Sequence, residues 1–210
     1  MTKTGNPWLD IPLADYEAHM ALPGVGQAPL LADVLAAALR ELAPSSVAVL
    51  GCAGGNAFDR ISPSTRVVAI DINPEYLERL RQRFAAALPR LEVIAADLVA
   101  DDISTAPVDL VFAGLVFEYV DAGRALDRAR ELLLANGALV SVLQAPSATN
   151  PAVTPSPFTS LGKLANAMRL VAPSELAALA AERGFRQKSE QTLQASGGKE
   201  LIVQRFHRVT

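Results

Sequence analysis

Five short apolar runs recur through the middle of the chain, and segments of helical periodicity alternate with them. The runs are SVAVLG (46–51), RVVAID (66–71), LEVIAAD (91–97), VDLVFAGLV (108–116) and ALVSVL (138–143). This alternation constrains the fold more than any other feature. Strands that are apolar throughout are those covered on both faces by helices. Strand–helix repetition gives right-handed crossovers and a mostly parallel sheet.

The intervening segments supply the helices. INPEYLERLRQRFAAAL (72–88) opens with Asn73 as N-cap and Pro74 at the first helical position, a strong start signal. DAGRALDRARELLLANG (121–137) predicts a helix that stops at Gly137, and PSELAALAAERG (173–184) one ended by Gly184. A further helix is expected to open near Gly54 or Gly55. Ahead of the first strand, APLLADVLAAALRELA (28–43) sets Leu31, Val34, Leu35, Ala38, Leu39 and Leu42 on one helical face. Two last strands, near 186–194 and in KELIVQRF (199–206), flank Ser-Gly-Gly and predict an antiparallel hairpin at one edge. The expected fold is α/β, a doubly wound, mostly parallel seven-stranded sheet with helices on both faces.

At 210 residues, half of them hydrophobic and a fifth charged, the chain has the size of one domain with a two-sided core. It divides into an irregular leader and helix (1–45), a core (46–144), a proline-rich segment (145–172) and a final helix with the hairpin (173–210). A net charge of −3 without a run of Lys or Arg argues against a nucleic-acid partner. The apolar runs are too short to cross a bilayer, the leader MTKTGNPWLD has no secretion signal, and Cys52 is the only cysteine. The expected compartment is the cytoplasm. No metal is expected, and nothing indicates an oligomeric state.

In sheets of this kind ligands bind beyond the carboxyl ends of the strands. That rim collects the turn after Leu50, the strand end at Asp71, Asp97, and the segment from Leu115 to Asp121. Asp71, twenty residues beyond Gly51, stands where an acid accepts both hydroxyls of a ribose. Asp97 is suited to an adenine amino group. The turn VAVLGCAGGN lacks the G-x-G-x-x-G of a dinucleotide fold, because Ala53 and Asn56 take the second and third glycine positions; no P-loop lysine follows either. It suits a ligand needing close backbone approach without a diphosphate cradle.

With VAVLGCAGGNAF, VVAIDINPEYL, LEVIAADL, VDLVFAGLVFEYV, ANGALVSVL and the terminal hairpin in this order, the chain resembles the class I S-adenosylmethionine-dependent methyltransferases over nearly its whole length. The resemblance implies S-adenosyl-L-methionine as cofactor. Gly51, Cys52, Ala53, Gly55 and Asn56 would then line the methionine part and Asp71 hold the ribose. Ile72 would pack on the adenine, Asp97 with Leu98 read the base, and Gly114 with Leu115 flank the sulfonium. Two positions depart from the family pattern: Val49 stands where an acid is usual in the first strand, and Ala53 replaces the middle glycine.

Methyl transfer from a sulfonium needs alignment above all, and a general base only if the acceptor must lose a proton. His19 and Glu118 are the candidates. Tyr16, Tyr119 and Phe158 are candidate substrate contacts, and Trp8 a further aromatic that could line the pocket. The expected function is methyl transfer to a small-molecule acceptor. The alternatives are a non-catalytic S-adenosylmethionine-binding protein, suggested by Val49 and Ala53, and a nicotinamide-dependent oxidoreductase, disfavoured by the turn. The leader and the proline-rich segment are expected to close over the site.

Overall fold

All five positions of β1 (Ser46–Leu50) are buried, as a central strand requires. In the computed structural model, which describes residues 5–147 and 151–209, β1 pairs in parallel with β2 (Arg66–Asp71) and with β4 (Val108–Gly114). Beyond them lie β3 (Leu91–Ala95) and β5 (Leu133–Gln144), also parallel. The hairpin of β6 (Phe185–Gln194) and β7 (Glu200–Arg208) follows, β7 running antiparallel to both β5 and β6. The order is β3-β2-β1-β4-β5-β7-β6, so the hairpin occupies one edge and its second strand lies inside. The outermost strand, β6, is mostly exposed and polar, which blunts that edge against further pairing.

The two faces separate by the period-2 rule. Val47, Val49, Val67, Ala69, Leu110 and Phe112 belong to one core cluster, with Leu31, Val34, Leu35 and Ala38 of α2 (Gln27–Leu42) and Leu77 and Leu80 of α3 (Pro74–Phe84). Ala48, Leu50, Val68, Ile70, Val111 and Ala113 belong to the other, with Leu126 and Ala129 of α4 (Ala122–Leu132) and Leu176 and Ala180 of α6 (Pro173–Glu182). Each fully buried leucine contributes about 1.5–3 kcal/mol. The helix start signalled in the sequence is formed, with Asn73 Oδ1 accepting the Glu75 amide at 2.9 Å; at the start of α4 Asp121 Oδ1 accepts the Arg124 amide at 2.8 Å.

Three elements differ from expectation. No α-helix follows the glycine turn; residues 51–65 hold only turns and a short 3₁₀ helix, Phe58–Arg60. Gly51, Ala53, Gly55 and Ala57 all have positive φ, and a right-handed helix cannot propagate through alternating left-handed residues. The helix expected over 121–137 ends at Leu132, and Leu133 already pairs with Val108. Pairing resumes at Leu110–Ala138 after a bulge that contains the left-handed Asn136. The leader, read as irregular, contains a 3₁₀ turn, Pro7–Asp10, and α1 (Leu13–Met20).

Leader and proline-rich segment meet above the carboxyl ends of the strands. Ile11, Leu161 and Leu164 form a separate small core, with Trp8, Tyr16, Tyr119, Val153 and Phe158 packed against it. Residues 159–167 form a 3₁₀ turn and a short helix, α5 (Leu164–Ala167). Among the described residues no helix is long and apolar enough to cross a membrane.

Candidate functional site

The sheet order reverses between β1 and β4, and the crevice beyond these two strand ends is a cleft of about 390 Å³. Many of the residues singled out in the sequence line it, Trp8 of the leader among them. Gly51 and Ala53 come from the glycine turn, Asp71 and Ile72 from the end of β2, and Asp97 and Leu98 from beyond β3. Gly114, Leu115 and Tyr119 follow β4, and Tyr16 descends from α1. The chain reaches this point from five directions, so the converging residues are far apart in sequence.

Asp71 has its carboxylate held at the edge of the cleft by two backbone amides. It is 7 % exposed, and its Oδ2 accepts the Ala53 amide while Oδ1 accepts the Asn73 amide, both at 2.9 Å. Burial pushes its pKa up from 3.8 to about 6, partly offset by the amides of Asn73, Ala53 and Ile72. The carboxylate is held in one orientation from behind and opens to the cleft. Asp97 is similar but more exposed. Its Oδ1 accepts the amides of Val99 at 2.8 Å and Ala100 at 3.1 Å, which leaves Oδ2 for a ligand.

Two residues other than glycine stand in the left-handed region on facing sides of the crevice, Ala53 with φ 45° and Leu115 with φ 56°. Strain of this kind, of order 1–3 kcal/mol, persists where the surroundings impose it and clusters at functional sites. The turn is also tight. A Cβ on Gly51 would lie 2.7 Å from Val116 Cγ2.

A second cavity of about 340 Å³ adjoins the first through Tyr16, Gly51, Ala53 and Gly114. Cys52, Gly55 and Asn56 line it instead of the main cleft. Burial pushes the Cys52 thiol well up, so it is a neutral filler. Val49 lines this cavity too, and so does an ion pair invisible in sequence, Arg83 with Glu17. Arg83 Nη2 donates to Glu17 Oε2 at 2.9 Å and Nη1 to the Gly54 carbonyl at 3.2 Å, tying α1 to α3 across the glycine turn.

A third cavity, about 50 Å³, shares Trp8, Tyr16, Leu115 and Tyr119 with the main cleft. Trp8 stands edge-on to Tyr16, with ring centroids 5.4 Å apart, and to Tyr119 at 5.0 Å. His19 lines this small cavity rather than the cleft; burial first, then Lys199, lowers its pKa, so the imidazole is neutral near pH 7. Glu118 and Phe158 line none of the three cavities. Glu118, 1 % exposed, accepts the Gln144 amide through Oε1 at 2.7 Å, and burial raises its pKa to about 7. It does not cap α4, which Asp121 does. Phe158 packs in the small core under the proline-rich segment.

Tyr76, Arg124, Gln27, Gln144 and Lys199 also line these cavities. Periodicity does not find them, since four lie in ordinary helix or strand patterns and Lys199 lies in the turn before β7. Tyr76 Oη donates to the Ile11 carbonyl at 2.7 Å and Asn73 Nδ2 to the Trp8 carbonyl at 2.9 Å, anchoring the leader to α3. From the other side, Ser160 Oγ donates to Asp15 at 2.6 Å.

Known methyltransferases resemble the chain in sequence and in fold. Residues 47–137 match the family model described as a methyltransferase domain. Over 111 residues the chain is 31 % identical to the trans-aconitate 2-methyltransferase of Rhodopseudomonas palustris, a match covering 51 % of this chain and 41 % of that protein. The chain therefore matches less than half of that relative's length. The Synechocystis magnesium protoporphyrin IX methyltransferase with bound S-adenosylhomocysteine superposes with a TM-score of 0.67 at 14 % identity, covering 88 % of this chain and 84 % of that one. The Burkholderia thailandensis 1,6-didemethyltoxoflavin-N1-methyltransferase, bound to 1,6-didemethyltoxoflavin and S-adenosylhomocysteine, superposes at 0.65 with 19 % identity, covering 88 % and 79 %. At these identities the two structures establish the fold.

Proposed function

We propose that this chain, which belongs to the class I S-adenosylmethionine-dependent methyltransferase family, binds S-adenosylmethionine in the cleft between β1 and β4 and transfers its methyl group to a small organic acceptor. The observation that carries this reading is Asp71, a buried carboxylate oriented by backbone amides and facing a cleft of nucleoside size. Its free lone pairs accept the two ribose hydroxyls. Ile72 and Leu98 cover the adenine faces, and Asp97 accepts from its amino group. The backbone of Gly51, Ala53, Gly55 and Asn56 borders the methionine part, beside Cys52.

Val49 supplies no acid in the first strand, but the same cavity holds Glu17 and Arg83. An amino-acid zwitterion complements that pair, its ammonium toward Glu17 and its carboxylate toward Arg83.

The cofactor supplies a methyl group already activated on a sulfonium. The chain's share is alignment and exclusion of water, for which effective molarities of ~10⁵ M or more are attainable. Gly114 and Leu115 border the sulfonium, and Trp8, Tyr16 and Tyr119 wall the acceptor side. His19, buried, neutral and with Nδ1 unpartnered, is suited to take a proton from the acceptor. Glu118 acts at a distance, positioning Gln144 through its backbone amide. Phe158 supports the cover through the small core.

A small acceptor is supported by the modest cavities and by the names of the two relatives that act on trans-aconitate and didemethyltoxoflavin. A second reading, a non-catalytic S-adenosylmethionine-binding protein, is favoured by Val49 and the strained Ala53.

Calorimetry with S-adenosylmethionine, S-adenosylhomocysteine and NAD tests the cofactor. The first two should bind and NAD should not; binding of NAD alone overturns the reading. Transfer of labelled methyl to a metabolite extract then separates enzyme from sensor, and binding without transfer supports the sensor.

A further inference from the structure

Lys199 is 5 % exposed, and among the described residues it has no carboxylate partner. Among the described residues its Nζ donates to two neutral oxygens, Gln144 Oε1 at 3.0 Å and the Ala152 carbonyl at 2.7 Å, and an ammonium carries three N–H donors. Gln144 is bound into the same group. Its Oε1 also accepts from Gln27 Nε2 at 3.1 Å, and its own Nε2 donates to the Ala152 carbonyl at 3.0 Å. His19, 6 % exposed, borders the same cavity with Nδ1 unpartnered. A buried ammonium without a counter-ion is costly. A fold that needed only packing would fill this corner with an apolar side chain.

We propose that this small cavity is an anion subsite, and that the methyl acceptor carries a carboxylate which Lys199 and Gln144 hold there. The proposal rests on the cleft being the site of methyl transfer. Its size fits: about 50 Å³ is several times the ~10–15 Å³ that a single water needs, which leaves room for a carboxylate. Its chemistry fits as well. The Ala152 carbonyl takes the Lys199 and Gln144 donors together, and residues 151–154 have no helix or strand to hold them there. A carboxylate that displaces this carbonyl accepts from both donors through its two oxygens and supplies the missing charge.

The position ties the subsite to the reaction. Trp8, Tyr16, Leu115 and Tyr119 border both this cavity and the cleft, so a molecule anchored at Lys199 presents its other end beside Leu115. An oxygen paired with an ammonium is a weakened nucleophile. The carboxylate is therefore the anchor, and another atom of the acceptor takes the methyl group.

Calorimetry on the intact protein tests this with acetate, butyrate and benzoate against acetamide, butyramide and benzamide, each with and without saturating S-adenosylhomocysteine. At least one acid should bind tenfold or more tightly than its amide. In Lys199→Met that acid should bind at least tenfold more weakly, with affinity for S-adenosylhomocysteine unchanged. Equal binding of acid and amide, or no acid binding while S-adenosylhomocysteine binds, overturns the anion subsite and leaves methyl transfer standing. Lys199-dependent acid binding without S-adenosylhomocysteine binding overturns the methyl-transfer reading instead, and absence of both removes both. The acid–amide comparison is made on the unsubstituted protein, so it decides even if Lys199→Met does not fold.

Discussion

Asp71 shows how one residue sets stability against binding. Its carboxyl has a pKa of about 6 in the folded chain against 3.8 unexposed to burial, so the native state holds the proton more tightly than the unfolded state. Ionised Asp71 therefore costs stability, on the order of 3 kcal/mol above pH 6, and the cost fades as pH falls toward 3.8. Ligand binding has the opposite sign, because ribose hydroxyls donate to the ionised form. Affinity for S-adenosylhomocysteine should decline as pH falls through about 6. Asp71→Ala should weaken it at least tenfold, since a hydrogen bond to a charged group is worth about 1.5–3 kcal/mol. Calorimetry from pH 5 to 8 on both proteins reads both effects. Unchanged affinity in a folded Asp71→Ala would leave the residue only its role in ordering the Ala53 and Asn73 amides.

The glycine turn is the element on which the crevice depends. Its positive φ angles at 51, 53, 55 and 57 turn the chain from β1 under Val116 and α3 without forming a helix. Gly51→Ala adds a methyl at φ 61°, 2.7 Å from Val116 Cγ2. The left-handed conformation alone costs a side chain about 1–2 kcal/mol, and Val116 must also move. A loss of about 2 kcal/mol or more in urea unfolding is expected, together with weaker cofactor binding. A Gly51→Ala protein as stable as the parent would mean that the turn tolerates a second conformation.

At the scale of the molecule, the cover and the sheet differ in what holds them. The strands share two large cores, whereas the leader, apart from Met20 and Val25 at its end, is tied down by a small apolar cluster, by single bonds from Asn73, Tyr76 and Ser160, and by the half-exposed ion pairs Arg83–Glu17 and Lys163–Asp10. Segments with few buried contacts open at lower free energy than the body. Trp8, the only tryptophan, sits in this cover, so its fluorescence reports on the leader while circular dichroism reports on the whole. In urea the fluorescence transition should precede the dichroism transition, and saturating S-adenosylhomocysteine should draw the two together. Coincident transitions without ligand would show that leader and sheet unfold as one unit.

The sequence by itself determined the layered sheet, because uniformly apolar strands and one-sided helices leave few ways to bury their surfaces. It also located Asp71, Asp97 and the crevice, because strand ends fall at positions set by chain direction alone. The helix start at Asn73 was legible through a short-range side-chain bond. The absent helix after Gly51 was not, since Ala53 and Ala57 take up left-handed angles that alanine does not favour locally. The grouping of His19, Gln27, Gln144 and Lys199 was decided only by tertiary structure. They come from α1, α2, β5 and the turn before β7, and each is unremarkable among its neighbours in sequence. Local patterns encode what a residue does to its own element. What four distant elements do to one another depends on how the sheet packs, and that alone brings a buried ammonium beside the wall of the cleft.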